Sequence, residues 1–198
     1  MKLVLATQNP KKLKEMNEIL RHLGVEVVSE AELGVRIEVE ETGDTFTDNA
    51  RLKATAVMQA TGLPAVADDS GLCVDALNGG PGVYSARFGG EGLDDKGRYT
   101  LLLEMLRGQT DRAAHFHTSI VCAFPNGGEL VCEGECPGTI AFAPMGEGGF
   151  GYDPVFFVPE LRKTFGQLTA EEKASVSHRG KALRAFAAAL DDYLKGNE

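Results

Sequence analysis

Two adjacent carboxylates and a hydroxyl, Asp68, Asp69 and Ser70, interrupt the apolar run LPAVADDSGLCVDAL at residues 63 to 77. The flanks, Leu63 to Ala67 and Leu72 to Leu77, read as buried or half-buried strand. Successive side chains of a strand point to opposite faces, so the two aspartates are not expected to share one job. An unpaired buried carboxylate is costly, and something must compensate each of them. A hydrogen-bonded turn, a salt bridge and a metal-bound catalytic site all satisfy that demand. A second acidic pair, Glu40 and Glu41, stands in the stretch EETG. Hard divalent ions such as Mg²⁺ take one or two carboxylates and complete their shell with water and phosphate oxygens, which suits acids from two separate segments. Taken alone, Glu40 and Glu41 read first as a solvated acidic loop.

Cations stand at two helix starts, where the helix dipole disfavours them. In TQNPKK, residues 7 to 12, the run Thr7, Gln8, Asn9, Pro10, Lys11, Lys12 takes a strand end into a helix. Free backbone N–H groups and two lysines there would suit a polyphosphate; from these six residues alone a solvated helix start is the stronger reading. No GxxxxGK[ST] loop is present. In SHRGK, residues 177 to 181, Ser177 is a good N-cap, whereas His178 and Arg179 need another explanation, such as an anionic or carbonyl-rich ligand. In GGFGYDP, residues 148 to 154, glycines flank Phe150, and the rings of Phe150 and Tyr152 suit either stacking on a base or a tight loop with core aromatics. His115 and His117 share a strand face without a third metal ligand and read as a polar sheet face.

The elements that must position these groups follow from periodicity. Lys2 to Ala6 is a strand, Asn9 caps a helix with Pro10 at its first position, Leu13, Met16, Leu20 and Leu23 recur at helical spacing, and Val25 to Ser29 is a second strand. A helix from about Thr45 to Ala60 carries Asn49 and Lys53 one turn apart on one face. Another runs from about Asp94 to Leu106. Residues 114 to 139 form an antiparallel hairpin about Pro125-Asn126-Gly127-Gly128, and Val155 to Val158 is a further strand. A helix begins at Thr169 with Glu172 as capping partner, and the last helix carries Leu183, Phe186, Leu190 and Leu194 on one face. The whole is one α/β body with a mixed sheet, two-lobed, spanning 1–198 without repeat or linker.

Composition sets limits on partners. The 198 residues carry 20 basic and 29 acidic side chains, a net charge of −9, which argues against a general nucleic-acid binder. Any phosphate ligand must be held by local cations and metal against that field. The four cysteines, Cys73, Cys122, Cys132 and Cys136, lack CxxC spacing and read as reduced thiols. Signal-peptide and membrane-span patterns are absent, so a cytoplasmic setting is expected.

Five motifs in order carry a resemblance across nearly the whole chain: TxNxxK at Thr7, Asn9 and Lys12; EETGDTFxxNAxxKA from Glu40; ADDSGLxVDALxGxPGVYSAR from Ala67; GGFGYDP; and EEKxxxSHRGKA. Together they resemble the non-standard purine nucleoside triphosphate pyrophosphatases, the inosine/xanthosine triphosphatases. The resemblance implies an elongated α/β fold, two lobes on a long mixed sheet with the active site in the cleft between them, and a homodimer. It also implies Mg²⁺-dependent hydrolysis of ITP, dITP and XTP to the monophosphate and pyrophosphate. Carried over by motif, Thr7, Asn9, Lys12 and Lys53 would hold the triphosphate, within the stretch that also contains Gln8, Pro10 and Lys11. Glu41 and Asp69 would bind the metal, with Glu40 as reserve ligand and Asp69 also as proton acceptor for the attacking water. Ser70 would contact substrate. Phe150, Gly151, Tyr152 and Asp153 with Lys173, His178 and Arg179 would form the base pocket. Two other readings stand beside this one. A pyrophosphatase for modified pyrimidines, of the septum-inhibitor type, is disfavoured by SHRGKA and GGFGYDP. A nucleotide sensor without turnover is disfavoured by acids at both 41 and 69.

Overall fold

The computed structural model describes residues 1–7 and 9–196. Seven strands form one open mixed sheet in the order β2-β1-β3-β4-β5-β6-β7. They are β1 Lys2–Leu5, β2 Glu26–Ser29, β3 Ala65–Val74, β4 Ala113–Ala123, β5 Glu129–Ile140, β6 Phe156–Val158 and β7 Lys163–Thr164. The helices are α1 Pro10–Leu20, α2 Phe46–Thr61, α3 Asp95–Met105, α4 Ala170–Val176 and α5 His178–Gly196. The α/β class and the mixed sheet read from the sequence are therefore present. Two compact units divide the chain: Met1–Asp69, Thr118–Gly134 and the chain from Ala182 onward in the first, Ser70–His117 and Glu135–Lys181 in the second. Strands β3, β4 and β5 and helix α5 each contribute residues to both.

The first unit is layered by strand alternation. In β1, Leu3 and Leu5 join Met16 and Leu20 of α1 and Leu183, Phe186 and Leu190 of α5, whereas Val4 joins Val57 of α2. Val66 of β3 lies in the α1/α5 cluster, and Ala67 lies with Ala50 and Ala54 of α2. The strands are thus buried on both faces, which is why they read as continuous apolar runs. β1 runs parallel to both β2 (Leu3↔Val27) and β3 (Leu5↔Val66). Asn17 locks α1 to β2: its amide donates to the carbonyls of Leu13 and Val27 at 3.2 and 2.9 Å, and its oxygen accepts from Val27 N at 3.2 Å.

The second unit buries one sheet face. Leu72 and Val74 of β3, Phe116 of β4, Ile140 of β5 and Phe156 of β6 pack with Leu102 of α3, with Leu106 just after its end and with Phe165. The alternate residues His115 and His117 are half-buried, and His117 Nδ1 lies 3.0 Å from Glu135 Oε1, so the polar-face reading of that histidine pair holds. Pairing of Phe124 N with Gly128 O at one end and Ile140 N with Arg112 O at the other gives the hairpin its antiparallel sense.

One element departs from the sequence reading. β3 is a single ten-residue strand that runs straight through Asp68, Asp69 and Ser70, where two strands with a polar interruption were expected. The acids do not break the strand because each finds cationic compensation on its own face, as described next. All four cysteines are free, and burial raises each thiol above its ordinary range.

Candidate functional site

In the first unit the alternation of β3 sends its two aspartates to opposite faces, and each meets a lysine from the helix packed there. Asp68 shares the face of Val66 and receives Lys12 Nζ, from α1, at 2.8 Å; the carboxylate is buried, with 2% of its side chain exposed. Asp69 shares the face of Ala67 and meets α2: Lys53 Nζ lies 3.6 Å from Asp69 Oδ1, and Asn49 Nδ2 donates to Asp69 Oδ2 at 3.3 Å. Asn49 and Lys53 stand four residues apart on α2, so one helix face delivers both. The separate tasks expected of the two acids thus have a geometric basis.

The EETG loop is drawn to the same point. Lys53 Nζ donates to Glu41 Oε1 at 2.7 Å and to the carbonyl of Asp68 at 2.9 Å, so Glu41 and Asp69 gather round one ammonium. Glu40 is exposed. Buried Asn49 also accepts from Gly43 N at 2.8 Å, and a Cβ on Gly43 would lie 2.8 Å from that same oxygen. Only glycine therefore allows the loop to close on α2. Among the described residues no three His, Cys, Asp or Glu side chains form a metal-binding group, so a cation held by Glu41 and Asp69 would draw its remaining ligands from water and substrate.

The start of α1 is built as expected. Asn9 is the N-cap, accepting from Lys11 N at 2.9 Å, Pro10 opens the helix, and Thr7 Oγ1 accepts from Asn9 N at 3.2 Å. Thr7 is half-buried, Lys11 is exposed, and Gln8 lies outside the described residues.

In the second unit the loop 148–154 is organised by Asp153. Its carboxylate, with 3% of the side chain exposed, accepts from Phe150 N at 2.9 Å and pairs with Lys173 Nζ of α4. Burial pushes the Asp153 carboxyl above the usual range, and Lys173 and the Phe150 amide act against that push. Lys173 Nζ also lies 4.7 Å from the centre of the Phe150 ring, which is 75% exposed. Gly149, at φ +80°, lets the backbone pass so close that a Cβ would sit 1.9 Å from Asp153 Oδ2. Gly151 N donates to Asp95 Oδ2 at 2.7 Å.

Tyr152 takes the other course left open by the sequence. Its ring belongs to the core, and its hydroxyl donates to the Ser85 carbonyl at 2.8 Å, with burial pushing the phenol up to about 12. Of the two rings in this loop, that of Phe150 is the open one. The segment around Ser85 is scaffold: Ser85 Oγ accepts from Leu72 N at 2.9 Å and so ties residues 82–87 to β3. His178 opens α5 stacked on Phe116, with ring centres 4.7 Å apart, and half-buried Arg179 follows. Ser177 caps that turn, accepting from Gly180 N at 3.1 Å. Ser70 is half-buried in β3.

Asn49 and Gly149 position their surroundings without having been given a role from the sequence, whereas Asp68 was singled out with Asp69 but with no partner assigned to it. The spacing of Asn49 to Lys53 was a visible signal; no local pattern announced the Lys12–Asp68 pair, which joins residues far apart in the chain.

The model of the Ham1 family matches residues 3–189. The chain belongs to the Ham1 family. A curated relative from Exiguobacterium sp., named dITP/XTP pyrophosphatase, is 50% identical over 196 residues, 99% of this chain and all of that one. A structure of a HAM1 protein from Coxiella burnetii superposes with a TM-score of 0.93 at 43% identity, covering 97% of this chain and 99% of the other. The Staphylococcus aureus Ham1 protein gives a TM-score of 0.91 at 41% identity with both chains fully covered. The likeness to these Ham1 structures extends over both units, so the resemblance read from five motifs and the fold agree.

Proposed function

We propose that this Ham1 protein hydrolyses non-standard purine nucleoside triphosphates, dITP, ITP and XTP, to the monophosphate and pyrophosphate with Mg²⁺. The observation that carries the reading is the convergence of Glu41 and Asp69 on the single ammonium of Lys53, with Lys12 paired to Asp68 on the other face of the same strand. The names of relatives at about half identity over the full chain point to the same substrates. Glu41 and Asp69 fit Mg²⁺: two hard carboxylates from separate segments already surround a positive charge, and no softer ligand stands with them. When bound, Mg²⁺ polarises the phosphate oxygens and neutralises charge on the leaving pyrophosphate.

The rest of the chemistry falls to the chain. Thr7, Asn9, Pro10, Lys11 and Lys12, together with the α1 start and Gln8, hold the phosphates, and Lys53 adds a second point charge. Asp69, aimed by Asn49, takes the proton of the water that attacks phosphorus, and Ser70 contacts the substrate beside it. The base rests on exposed Phe150 next to Gly151, Tyr152 and Asp153, with Lys173, His178 and Arg179 around it. Hypoxanthine and xanthine present an acceptor at O6 where adenine presents a donor. A donor such as Arg179 or a backbone N–H then donates to the former and is left unpaired by the latter, at roughly 1–3 kcal/mol for each mismatch. Guanine shares O6, so its exclusion must act at position 2. The protein works as a homodimer in the cytoplasm in this reading; no described helix is long and apolar enough to cross a membrane.

Turnover of ITP in H₂¹⁸O tests the chemistry. Attack at the α-phosphorus puts the label in the monophosphate; label in pyrophosphate alone would move the attack to the β-phosphorus and remove Asp69 from its assigned place.

A further inference from the structure

Lys53 does not extend towards solvent or towards the α1 start. Its ammonium has three oxygens around it: Glu41 Oε1 at 2.7 Å, the Asp68 carbonyl at 2.9 Å and Asp69 Oδ1 at 3.6 Å. The first two accept hydrogen bonds from the ammonium, and the third stands at ion-pair distance. The side chain is only 19% exposed, and Asn49 and Gly43 fix the acids from behind. The carboxylates taken to bind Mg²⁺ thus already share a cation of the chain itself, which cancels half of their charge.

We propose that Lys53 is the resting counter-ion of the Glu41–Asp69 pair, and that the pair accepts a divalent ion only as a triphosphate draws the ammonium away. A divalent ion beside the caged ammonium would face like-charge repulsion at a few ångströms in a partly desolvated site. A polyphosphate supplies the negative charge that lets the flexible four-carbon stem swing its head from the acids to the phosphates. Ion and nucleotide then favour each other's binding, by the same factor in each direction. The site is thereby kept from holding a bare divalent ion when substrate is absent. This inference rests on the proposed assignment of Glu41 and Asp69 to the metal.

The test is binding of Mn²⁺ alone to the full-length protein, read from the free-ion signal in electron paramagnetic resonance, with and without α,β-methylene-ITP. Lys53→Met is expected to bind Mn²⁺ alone at least tenfold more tightly than the unaltered protein. The factor by which the analogue tightens Mn²⁺ binding should fall by a similar amount. Asp69→Asn added to Lys53→Met should return Mn²⁺ binding to background, which places the ion at this pair. Lys53→Gln gives the same comparison if Lys53→Met does not fold, with unfolding midpoints checked for each. Equal Mn²⁺ affinity in the unaltered protein and both variants overturns the role given to Lys53 while leaving the metal assignment standing. Failure of every form to bind Mn²⁺, even with the analogue, overturns the metal assignment itself and this inference with it.

Discussion

Replacing Gly149 by alanine separates two demands that the base loop makes on glycine. Gly149 and Gly151 both have positive φ, +80° and +61°, but only Gly149 is approached from the side. A Cβ at Gly151 meets nothing within 4 Å, so Gly151→Ala carries the left-handed backbone penalty alone, about 1–2 kcal/mol. A Cβ at Gly149 would stand 1.9 Å from Asp153 Oδ2, where real contacts do not fall below 3.0 Å, so the carboxylate must retreat by about 1 Å. That retreat breaks the 2.9 Å bond from Phe150 N and disturbs the ion pair with Lys173. A hydrogen bond to a charged group contributes about 1.5–3 kcal/mol, so Gly149→Ala should cost about 2.5–5 kcal/mol in all. Urea unfolding of the two variants should show a gap of about 1.5–3 kcal/mol between them, and the KM for ITP should rise more in Gly149→Ala. Equal stability of the two, within about 0.5 kcal/mol, would refute the claim that close approach to Asp153 sets the loop.

Asp69→Asn should abolish pyrophosphate release with an unchanged circular dichroism spectrum; full activity would remove Asp69 from the chemistry. Asp68→Asn should leave measurable turnover because it loosens Lys12 rather than the water, and losses equal to those of Asp69→Asn would undo that division. Lys173→Met leaves Asp153 buried without its cation, raising the folded-state carboxyl further above its ordinary value of 3.8. A raised folded value means stability present at low pH and lost as pH climbs above 3.8, so this variant should be more destabilised at pH 8 than at pH 4 in urea titrations; the same loss at both would contradict the pairing. Asn17→Ala removes two hydrogen bonds between α1 and β2, and its unfolding free energy should drop by about 1–3 kcal/mol; no change would deny Asn17 its locking role.

Local patterns were the legible part of this chain. Asn9-Pro10 announced the start of α1, Thr169 and Glu172 form the capping box expected of them, and Leu183, Phe186 and Leu190 lie in the core as their spacing required. Alternation also told that Asp68 and Asp69 would part company. What it could not tell was the partner each would meet, because Lys12 and Lys53 reach β3 from helices on opposite faces. The continuity of β3 was hidden for the same reason: three polar residues look like a break until tertiary partners neutralise them. Tyr152 was undecidable locally, since an aromatic between Gly151 and Asp153 serves a core or a ligand equally well. The carbonyl of Ser85, distant in sequence, settles the matter for its hydroxyl.

The central claim is selective cleavage of non-standard purine triphosphates, and kcat/KM for dITP and XTP beside dATP and dGTP, with Mg²⁺ and products separated by ion-exchange chromatography, tests it most directly. The account predicts monophosphate and pyrophosphate from dITP and XTP at rates at least about thirtyfold above those for dATP, as two O6-type mismatches at roughly 1–3 kcal/mol each would require, with dGTP discriminated against at position 2. Equal turnover of dATP, or release of orthophosphate in place of pyrophosphate, would contradict it.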